Sequence, residues 1–359
     1  MIVICPTSFK GTLSAAAAAR AMAEGAGAVT REPIRIAPVS DGGPGLLDAL
    51  QNTEKGSMAS VPVSGPLGEP TSARMFTFSG GVAVECADAC GLHLLSEDRR
   101  DAVRATSYGV GELLRAAAMH ASRIVLGLGG TATVDAGAGM AEALGWRLLD
   151  RSGVTITRGG GGLERLHCIE PAPTRFATQV IPLADVRTRL IGRDGAAATF
   201  APQKGASAAG VALLERALEN FARVVQRDLG VEVRAIEGGG AAGGLGAACR
   251  VFLGAAPVSG SEWVLERLGF RTLLGAASAV VTGEGAFDAQ SAMGKVTGCV
   301  MTHARRAGVP VLLVTGSVRG SVPPGVLAVH GGGRTLSAAD LAAFVAQELP
   351  QLLSAATAG

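Results

Sequence analysis

Lysine is scarce in this chain of 359 residues, and the positions where it occurs suggest a chemistry. Of 32 basic side chains only four are lysines, namely Lys10, Lys55, Lys204 and Lys295. Three of them, Lys10, Lys204 and Lys295, adjoin a glycine within a polar stretch that reads as a loop. A compact ammonium group beside bare backbone can meet a phosphate as a point charge, where the broad guanidinium of arginine does not fit. These loops therefore predict phosphate contacts, and the alternative is chance placement in a glycine-rich chain.

Four carboxylates lie in glycine-rich turns and could complete a phosphoryl-transfer site. They are Asp41, Asp135, Glu284 and Asp288. In phosphoryl transfer, positive groups offset the charge of the moving group, while carboxylates hold Mg²⁺ or take the acceptor's proton. Each carboxylate by itself is more often a turn or capping residue. Their joint occurrence beside lysine and glycine favours the catalytic interpretation.

Residues 123–145 form a local pattern of strand, glycine turn and helix. Residues 124–126 are apolar, Gly127, Gly129 and Gly130 follow, and a helix is predicted from about Ala138. Such a turn places free backbone N–H groups and a helix dipole at one point, which is how proteins hold phosphate. Similar turns occur in α/β proteins that bind nothing there, so this stretch alone leaves both interpretations open.

Other motifs are weaker. A Walker A loop is excluded, because Ala289 replaces its first glycine and Val296 follows Lys295. Residues 127–132 match the dinucleotide pattern G-x-G-x-x-A, with Asp150 at a tolerable distance, so a dinucleotide-binding oxidoreductase remains an alternative. His330 opens an HGGG sequence like an esterase oxyanion loop, but the chain has no G-x-S-x-G elbow.

The composition predicts a soluble globular protein. The net charge of +2 and the absence of a basic cluster argue against a nucleic-acid partner. No apolar run has the length of a membrane span, and the N-terminal sequence lacks signal-peptide features, so we expect no membrane association and a cytoplasmic location. The six cysteines form no C-x-x-C pair and read as buried free thiols.

Strand, loop and helix alternate at both ends of the chain. Predicted strands near the termini cover residues 2–5, 34–39, 279–281, 311–314 and 327–329. From about Ser60 short strands joined by Gly and Pro turns replace this pattern. We therefore expect an α/β fold in which residues 1–60 and 276–359 form a parallel domain and residues 61–275 form an inserted mixed α/β domain. Residues 238–246 and 282–288 are expected to be loops, and residues 159–162 a flexible glycine loop.

Taken together in chain order, these motifs resemble those of the type I glycerate kinases. The matching stretches run through nearly the whole chain: PTSFKG at 6–11, SDGG at 40–43, TSYG at 106–109, GGTAT at 129–133 with Asp135, PQKG at 202–205, GAAGG at 240–244, and TGEG at 282–285 with Asp288, Gln290, Gly294 and Lys295. The resemblance implies a flavodoxin-like domain with an inserted α/β domain and an active site in the cleft between them. It also implies a bacterial enzyme that phosphorylates D-glycerate from ATP with Mg²⁺, typically to 2-phosphoglycerate.

The resemblance and the residues together suggest specific roles. Asp135 would act as the base, with Lys10 and Asp288 as further catalytic residues, and Asp41 would bind the metal. Glu284 would support Lys295. The remaining phosphate-binding or nucleotide-binding candidates are Ser8, Gly42, Gly43, Gly129, Gly130, Thr131, Lys204 and Lys295, with the backbone of residues 129–131 as an anion cradle.

The chain departs from the family pattern at several polar positions. Thr7 stands where the family has an Asp, Pro44 where it has a Glu, and Val134 where it has an Asn. Thr188 and Arg189 together replace an Asn-Pro pair. Two further alternatives follow from these departures, a kinase for another small hydroxy acid and a relative that only binds a metabolite. A homodimer is also left open.

Overall fold

The computed structural model describes residues 1–9, 11–288, 291 and 295–357. The chain forms two compact units. Unit 1 contains Met1–Asp41, Asp48–Glu54 and Ser259–Gly359, and unit 2 contains Gly42–Leu47 and Lys55–Val258. Helix α2 (Leu46–Gln51) carries the chain across one of the boundaries.

Unit 1 is built on a parallel sheet with strands from both ends of the chain. Its strands are β1 (Ile2–Ile4), β2 (Ile34–Ile36), β10 (Ala279–Asp288), β11 (Val311–Arg319) and β12 (Val326–His330). Their order is β12-β11-β10-β1-β2, and every neighbouring pair is parallel. The sequence predicted this parallel α/β unit from both termini, and the prediction is confirmed. Because the strands are parallel, the loops that follow β1, β2, β11 and β12 all emerge at the same edge of the sheet.

Helices cover the sheet of unit 1. They are α1 (Ala15–Val29), α9 (Gly260–Arg267), α10 (Phe270–Gly275), α11 (Val296–Arg306) and α12 (Ala338–Thr357). The hydroxyl of Ser14 accepts a hydrogen bond from the Ala17 amide at 3.2 Å and caps α1. The apolar faces of α1 and α12 pack with the central strands into one core.

Two glycines of α1 provide a matched test of this packing. A Cβ on Gly25 would lie 2.2 Å from the carbonyl oxygen of Ala342, whereas a Cβ on Gly27 would have only the Ile34 Cδ1 atom nearby, at 3.8 Å. Gly25→Ala should therefore destabilise the protein by about 1–3 kcal/mol, because α1 and α12 must move apart. Gly27→Ala should stabilise it by about 0.5–1 kcal/mol through helix propensity. Denaturant unfolding measures both, and equal effects of the two changes would contradict the packing.

Unit 2 contains a mixed sheet. Its strands are β3 (Gly56–Ser64), β4 (Pro70–Phe78), β5 (Gly81–Glu85), β6 (Arg123–Gly127) and β9 (Gln179–Leu183), in that order. The β3-β4 and β4-β5 pairs are antiparallel, and the β5-β6 and β6-β9 pairs are parallel. In a separate two-stranded sheet, β7 (Arg147–Leu149) pairs antiparallel with β8 (Cys168–Glu170). The parallel half places the ends of β5 and β6 side by side, directly before the predicted glycine turn.

The helices of unit 2 enclose a large apolar core. They are α3 (Cys86–Cys90), α4 (Tyr108–Ala118), α5 (Ala138–Ala143), α6 (Ala196–Phe200), α7 (Ala208–Leu229) and α8 (Ala241–Leu253). Both cysteines of α3 are fully buried, and burial raises the pKa of their thiols. This confirms the interpretation of these two residues as buried free thiols. Within the described residues, no helix combines the length and apolar character needed to span a bilayer.

Three predicted loops are wrong in detail. Residues 282–288 continue β10 as a strand, because β11 pairs with them as far as Arg319. Residues 241–246 belong to α8, although its backbone leaves the helical conformation at residues 242–244. The glycine stretch at 159–162 is a packed turn rather than a flexible loop, since a Cβ on Gly160 would lie 2.3 Å from the Val134 carbonyl oxygen.

Candidate functional site

The glycine turn after β6 leaves backbone amides available for an anion. Among the described residues, no acceptor receives a hydrogen bond from the amides of Gly129 or Gly130. Gly130 is exposed and has a φ of +78°, in the left-handed region that favours glycine. Successive free amides in such a turn form a concave anion-binding surface. The predicted anion cradle therefore has suitable backbone geometry.

A second glycine turn packs against the first one. A Cβ on Gly129 would lie 2.7 Å from the Cα atom of Gly43, and a Cβ on Gly130 would lie 2.5 Å from Cγ of Pro44. Gly42 and Gly43 are themselves buried. Close packing thus explains the glycines independently of any ligand. It also brings together four residues that the sequence assigned to one phosphate site.

Glu85 holds the second turn in place, and sequence reasoning missed it. Its side chain is 1% exposed, and Oε1 accepts hydrogen bonds from the amides of Gly45 at 3.1 Å and Leu47 at 2.9 Å. The guanidinium group of Arg74 lies 4.0 Å from the other carboxylate oxygen. The sequence does carry a signal for Glu85, because this carboxylate directly ends the apolar strand β5. An acid that is buried at such a position must have hydrogen-bonding partners.

Asp135 lies inside unit 2 rather than on its surface. Its side chain is 0% exposed. Oδ2 accepts hydrogen bonds from the Ser107 amide and hydroxyl, both at 2.8 Å, and from the Gly139 amide at 3.2 Å. Oδ1 accepts one from the Gly137 amide at 3.0 Å. A general base must reach the proton that it removes, and these contacts instead match a carboxylate that holds the loop to the start of α4.

Lys204 is also buried, with a side chain that is 4% exposed. Its Nζ atom donates to Oγ1 of Thr131 at 3.2 Å and to the carbonyl oxygen of Thr133 at 2.8 Å. Burial lowers the pKa of Lys204 to about 8, while Cys90 and Asp135 oppose this shift. The ammonium group therefore contacts the underside of the glycine turn rather than solvent.

Glu284 and Asp288 lie in the second half of β10 and share one partner, Ser291. The Ser291 hydroxyl lies 3.0 Å from Oε2 of Glu284 and 3.3 Å from Oδ1 of Asp288. Its amide donates to the same Asp288 oxygen at 2.9 Å. Sequence reasoning placed both acids in one site but missed Ser291. Asp288 accepts a hydrogen bond from the Ser291 amide three residues later, which is the pattern of a capping side chain.

The same corner of unit 1 contains Lys295 and two buried oxygens without good partners. Lys295 is the N-cap of α11. Oε1 of Glu284 and Oγ1 of Thr297 make no hydrogen bond of good geometry with any described residue. Burial raises the pKa of Glu284, and the Ser291 and Thr297 hydroxyls and the Lys295 charge lower it less. The Thr297 hydroxyl therefore lies near the Glu284 carboxylate, although outside good hydrogen-bond geometry. A cation with oxygen ligands or a phosphate would satisfy this arrangement.

The remaining predicted residues lie at the ends of other strands. Ser8 is half-buried after β1, in a loop that the Thr7 amide joins to the Gly283 carbonyl oxygen at 3.0 Å. Asp41 is half-buried and follows β2. Lys10 lies outside the described residues, as do Gln290 and Gly294. In the described part of the chain, no three His, Cys, Asp or Glu side chains converge as a metal site.

A comparison with protein families assigns the chain. A model of the glycerate kinase family matches residues 2–348. The chain belongs to the glycerate kinase family. It is therefore a kinase, and the oxidoreductase alternative is not supported. The resemblance stated from the motifs is confirmed.

Individual members of the glycerate kinase family are similar over almost the whole chain. A glycerate kinase from Halalkalibacterium halodurans is 40% identical over 325 residues, which cover 88% of this chain and 85% of that protein. A glycerate 2-kinase from Escherichia coli strain K12 is 40% identical over 337 residues, covering 92% and 88%. A crystal structure of a candidate glycerate kinase 2 from Salmonella typhimurium LT2 has a TM-score of 0.85 at 36% identity and covers 99% of both chains.

Three of the positions that depart from the glycerate kinase pattern lie in unit 2, where their surroundings are described. Val134 is 0% exposed within the core of unit 2, where an apolar side chain packs without needing a partner. Thr188 presents its carbonyl oxygen to the Gly240 amide at 2.9 Å, a contact that needs no particular side chain. Pro44 packs beside Gly130.

The raised pKa of Glu284 leads to a testable stability effect. Burial gives Glu284 a higher pKa in the folded than in the unfolded chain. The protein therefore loses folding stability as the pH rises from the ordinary pKa of this carboxyl through the raised one. Glu284→Gln should therefore raise the melting temperature at pH 7.5, and the gain should shrink towards pH 4, where the wild-type acid is also neutral. The exposed Glu24→Gln is the matched control and should show no such pH-dependent gain. A melting temperature of Glu284→Gln equal to or below that of the wild type at pH 7.5 would contradict the buried charge.

Proposed function

We propose that this glycerate kinase family member transfers the γ-phosphoryl group of ATP to a hydroxyl group of glycerate, with Mg²⁺, and forms 2-phosphoglycerate. The observation that carries the proposal is the arrangement of Glu284, Ser291, Asp288 and Lys295 at the end of β10 and the start of α11. Carboxylates beside an ammonium group and a helix N-terminus are what phosphoryl transfer requires. The names of the relatives from Halalkalibacterium halodurans and Escherichia coli support glycerate as the substrate.

We assign phosphate binding in unit 1 to Lys295 and the first amides of α11. This helix has 11 residues, and its N-terminal amides carry the partial positive charge of the helix dipole. Lys295 adds a full charge beside it, which can offset the negative charge that spreads over the transferred group. Lys10 and Ser8 remain predicted contributors on the loop after β1.

The oxygen atoms of unit 1 fit a magnesium ion. Mg²⁺ is usually held by one or two carboxylates together with substrate phosphates and waters, so a cluster of three protein ligands is not required. The Glu284 and Asp288 carboxylates both lie within hydrogen-bond distance of the Ser291 hydroxyl, at 3.0 and 3.3 Å, so they are close to each other. Glu284 and Asp288 would hold the ion, and Asp41 remains a predicted ligand. When bound, Mg²⁺ would neutralise charge on the phosphates.

In unit 2 we assign the amides of Gly129 and Gly130 to an anionic group of a substrate, with Gly42 and Gly43 shaping the turn against which they pack. We also propose a different role for Asp135 from the predicted one. Because all its hydrogen bonds go to groups of the protein, it positions the glycine turn and α4 rather than removing a proton. The predicted contact between Lys204 and phosphate is likewise replaced by support of the turn.

An ADP-release assay tests the proposal. Purified protein with ATP and Mg²⁺ is given D-glycerate, L-glycerate, glycolate, lactate or tartronate as acceptor. We expect substrate-dependent ADP release with D-glycerate as the best acceptor. Faster release with another acid would favour a different hydroxy-acid kinase. Thermal stabilisation by D-glycerate without ADP release would support a relative that only binds the metabolite.

A cytoplasmic location and a homodimer remain predictions.

A further inference from the structure

Lys204 is built into unit 2 in a way that links it to the glycine turn. It ends a short 3-10 turn, Pro202–Lys204, and the following Gly205 has a φ of +90°. A Cβ on Gly205 would lie 2.3 Å from the carbonyl oxygen of Arg100, so the backbone here is tightly confined. The side chain then enters the core, where Nζ reaches Thr131 and Thr133. An ammonium group buried at this depth needs such partners.

Two buried charges of opposite sign act on one loop. Lys204 contacts residues 131 and 133, and Asp135 contacts Ser107, Gly137 and Gly139. Cys90, on the neighbouring α3, and Asp135 are the titratable groups that act on the ammonium group. Burial raises the pKa of the Cys90 thiol and keeps it neutral, so Asp135 is the negative charge among them. The carbonyl oxygen of Cys90 also accepts a hydrogen bond from the Ala132 amide at 2.7 Å. These contacts hold the loop on the C-terminal side of the cradle residues, Gly129 and Gly130. On the N-terminal side, the Leu128 amide donates to the Leu183 carbonyl oxygen at 3.1 Å.

We propose that Lys204 is a positioning residue of the kinase reaction, whose buried ammonium group fixes Thr131 and Thr133 and thereby aims the free amides of Gly129 and Gly130 at an anionic group of the substrate. This inference rests on the proposed function. Lys204 itself touches no substrate. Its charge is required because the neutral amine no longer balances Asp135 across the loop, so activity depends on the protonation of a group that solvent does not contact.

The test compares Lys204→Met with Lys55→Met. Lys55 is the other lysine of unit 2 and is exposed, so its substitution removes the same charge without touching the loop. We expect Lys204→Met to lower kcat/KM about 10- to 100-fold, since a displacement of about 1 Å in a binding group can have that effect. Lys55→Met should match the wild type. If Lys204→Met does not fold, Thr131→Val removes one of the two contacts and keeps the charge.

Two readouts separate positioning from mere stability. Hydrogen exchange of the segment 128–140 should become about 10-fold faster in Lys204→Met, with no comparable change in β3 or β4. In the wild type and in Lys55→Met, kcat/KM should fall as the pH rises through the lowered pKa of Lys204, and Lys204→Met should lack this decline. A lower melting temperature with unchanged loop exchange and unchanged kcat/KM would overturn the proposal while leaving glycerate phosphorylation intact. A wild type that releases no ADP with D-glycerate would overturn both.

Discussion

Asp135→Ala is expected to lower the free energy of unfolding by about 3–9 kcal/mol, because it leaves the buried amides of Ser107, Gly137 and Gly139 without an acceptor, at about 1–3 kcal/mol each. The loop also contains Ala136 with a φ of +49°, a conformation that side-chained residues adopt only when their surroundings enforce it. Removing the carboxylate removes part of that enforcement. Urea unfolding of the purified variant measures the loss.

Asp135→Asn separates charge from shape. Its amide oxygen can replace one carboxylate oxygen, but its NH₂ group must then face an amide donor of Ser107 or Gly137, so we expect a smaller loss of about 1–3 kcal/mol. Asp98→Asn, at an exposed carboxylate of the same unit, is the control and should stay near the wild type. Wild-type stability of Asp135→Asn together with a large fall in kcat would restore the role of Asp135 as a base.

Asp288→Asn is expected to have the largest effect on turnover with little effect on the fold. Asp288 is half-buried at the end of β10, and the oxygen of an asparagine can still accept the Ser291 hydrogen bond. The substitution removes a negative charge that we assign to Mg²⁺. Loss of one preorganised electrostatic group typically lowers kcat about 10²- to 10³-fold. The concentration of Mg²⁺ needed for half-maximal rate should rise as well.

Asp340→Asn provides the matched control in unit 1. Asp340 is a partly exposed carboxylate beside the start of α12, where it accepts hydrogen bonds from Ser337 and pairs with Arg334 at 2.9 Å. Its substitution should weaken this end of the helix and leave kcat and the Mg²⁺ dependence unchanged. Asp288→Asn with wild-type kcat and an unchanged Mg²⁺ dependence would contradict the role of Asp288, whatever its melting temperature.

Regular patterns made much of the fold predictable. Short apolar runs followed by polar glycine turns identified β1, β2 and β6. Similar strand–loop–helix units at both termini predicted one parallel sheet from distant parts of the chain. These signals are local, so they are visible in the sequence without knowledge of packing.

Burial and strand extension were not predictable in the same way. Glycines and polar residues at 282–288 read as a loop, yet pairing with β11 keeps them in a strand. Asp135 and Lys204 looked like surface chemistry because charged residues are rarely buried. Only the three-dimensional arrangement shows that each has its partners inside unit 2. Ser291 and Glu85 escaped notice because their importance comes from what lies opposite them in space.

The phosphorus spectrum of the reaction product tests the central proposal most directly. Protein, ATP, Mg²⁺ and D-glycerate are incubated, and the product is examined by proton-coupled ³¹P NMR. A phosphate on the secondary hydroxyl has a single neighbouring C–H proton, so 2-phosphoglycerate should give a doublet that grows as ADP accumulates. A triplet would show transfer to the primary hydroxyl, and the absence of any new phosphate ester with D-glycerate would contradict the proposed reaction.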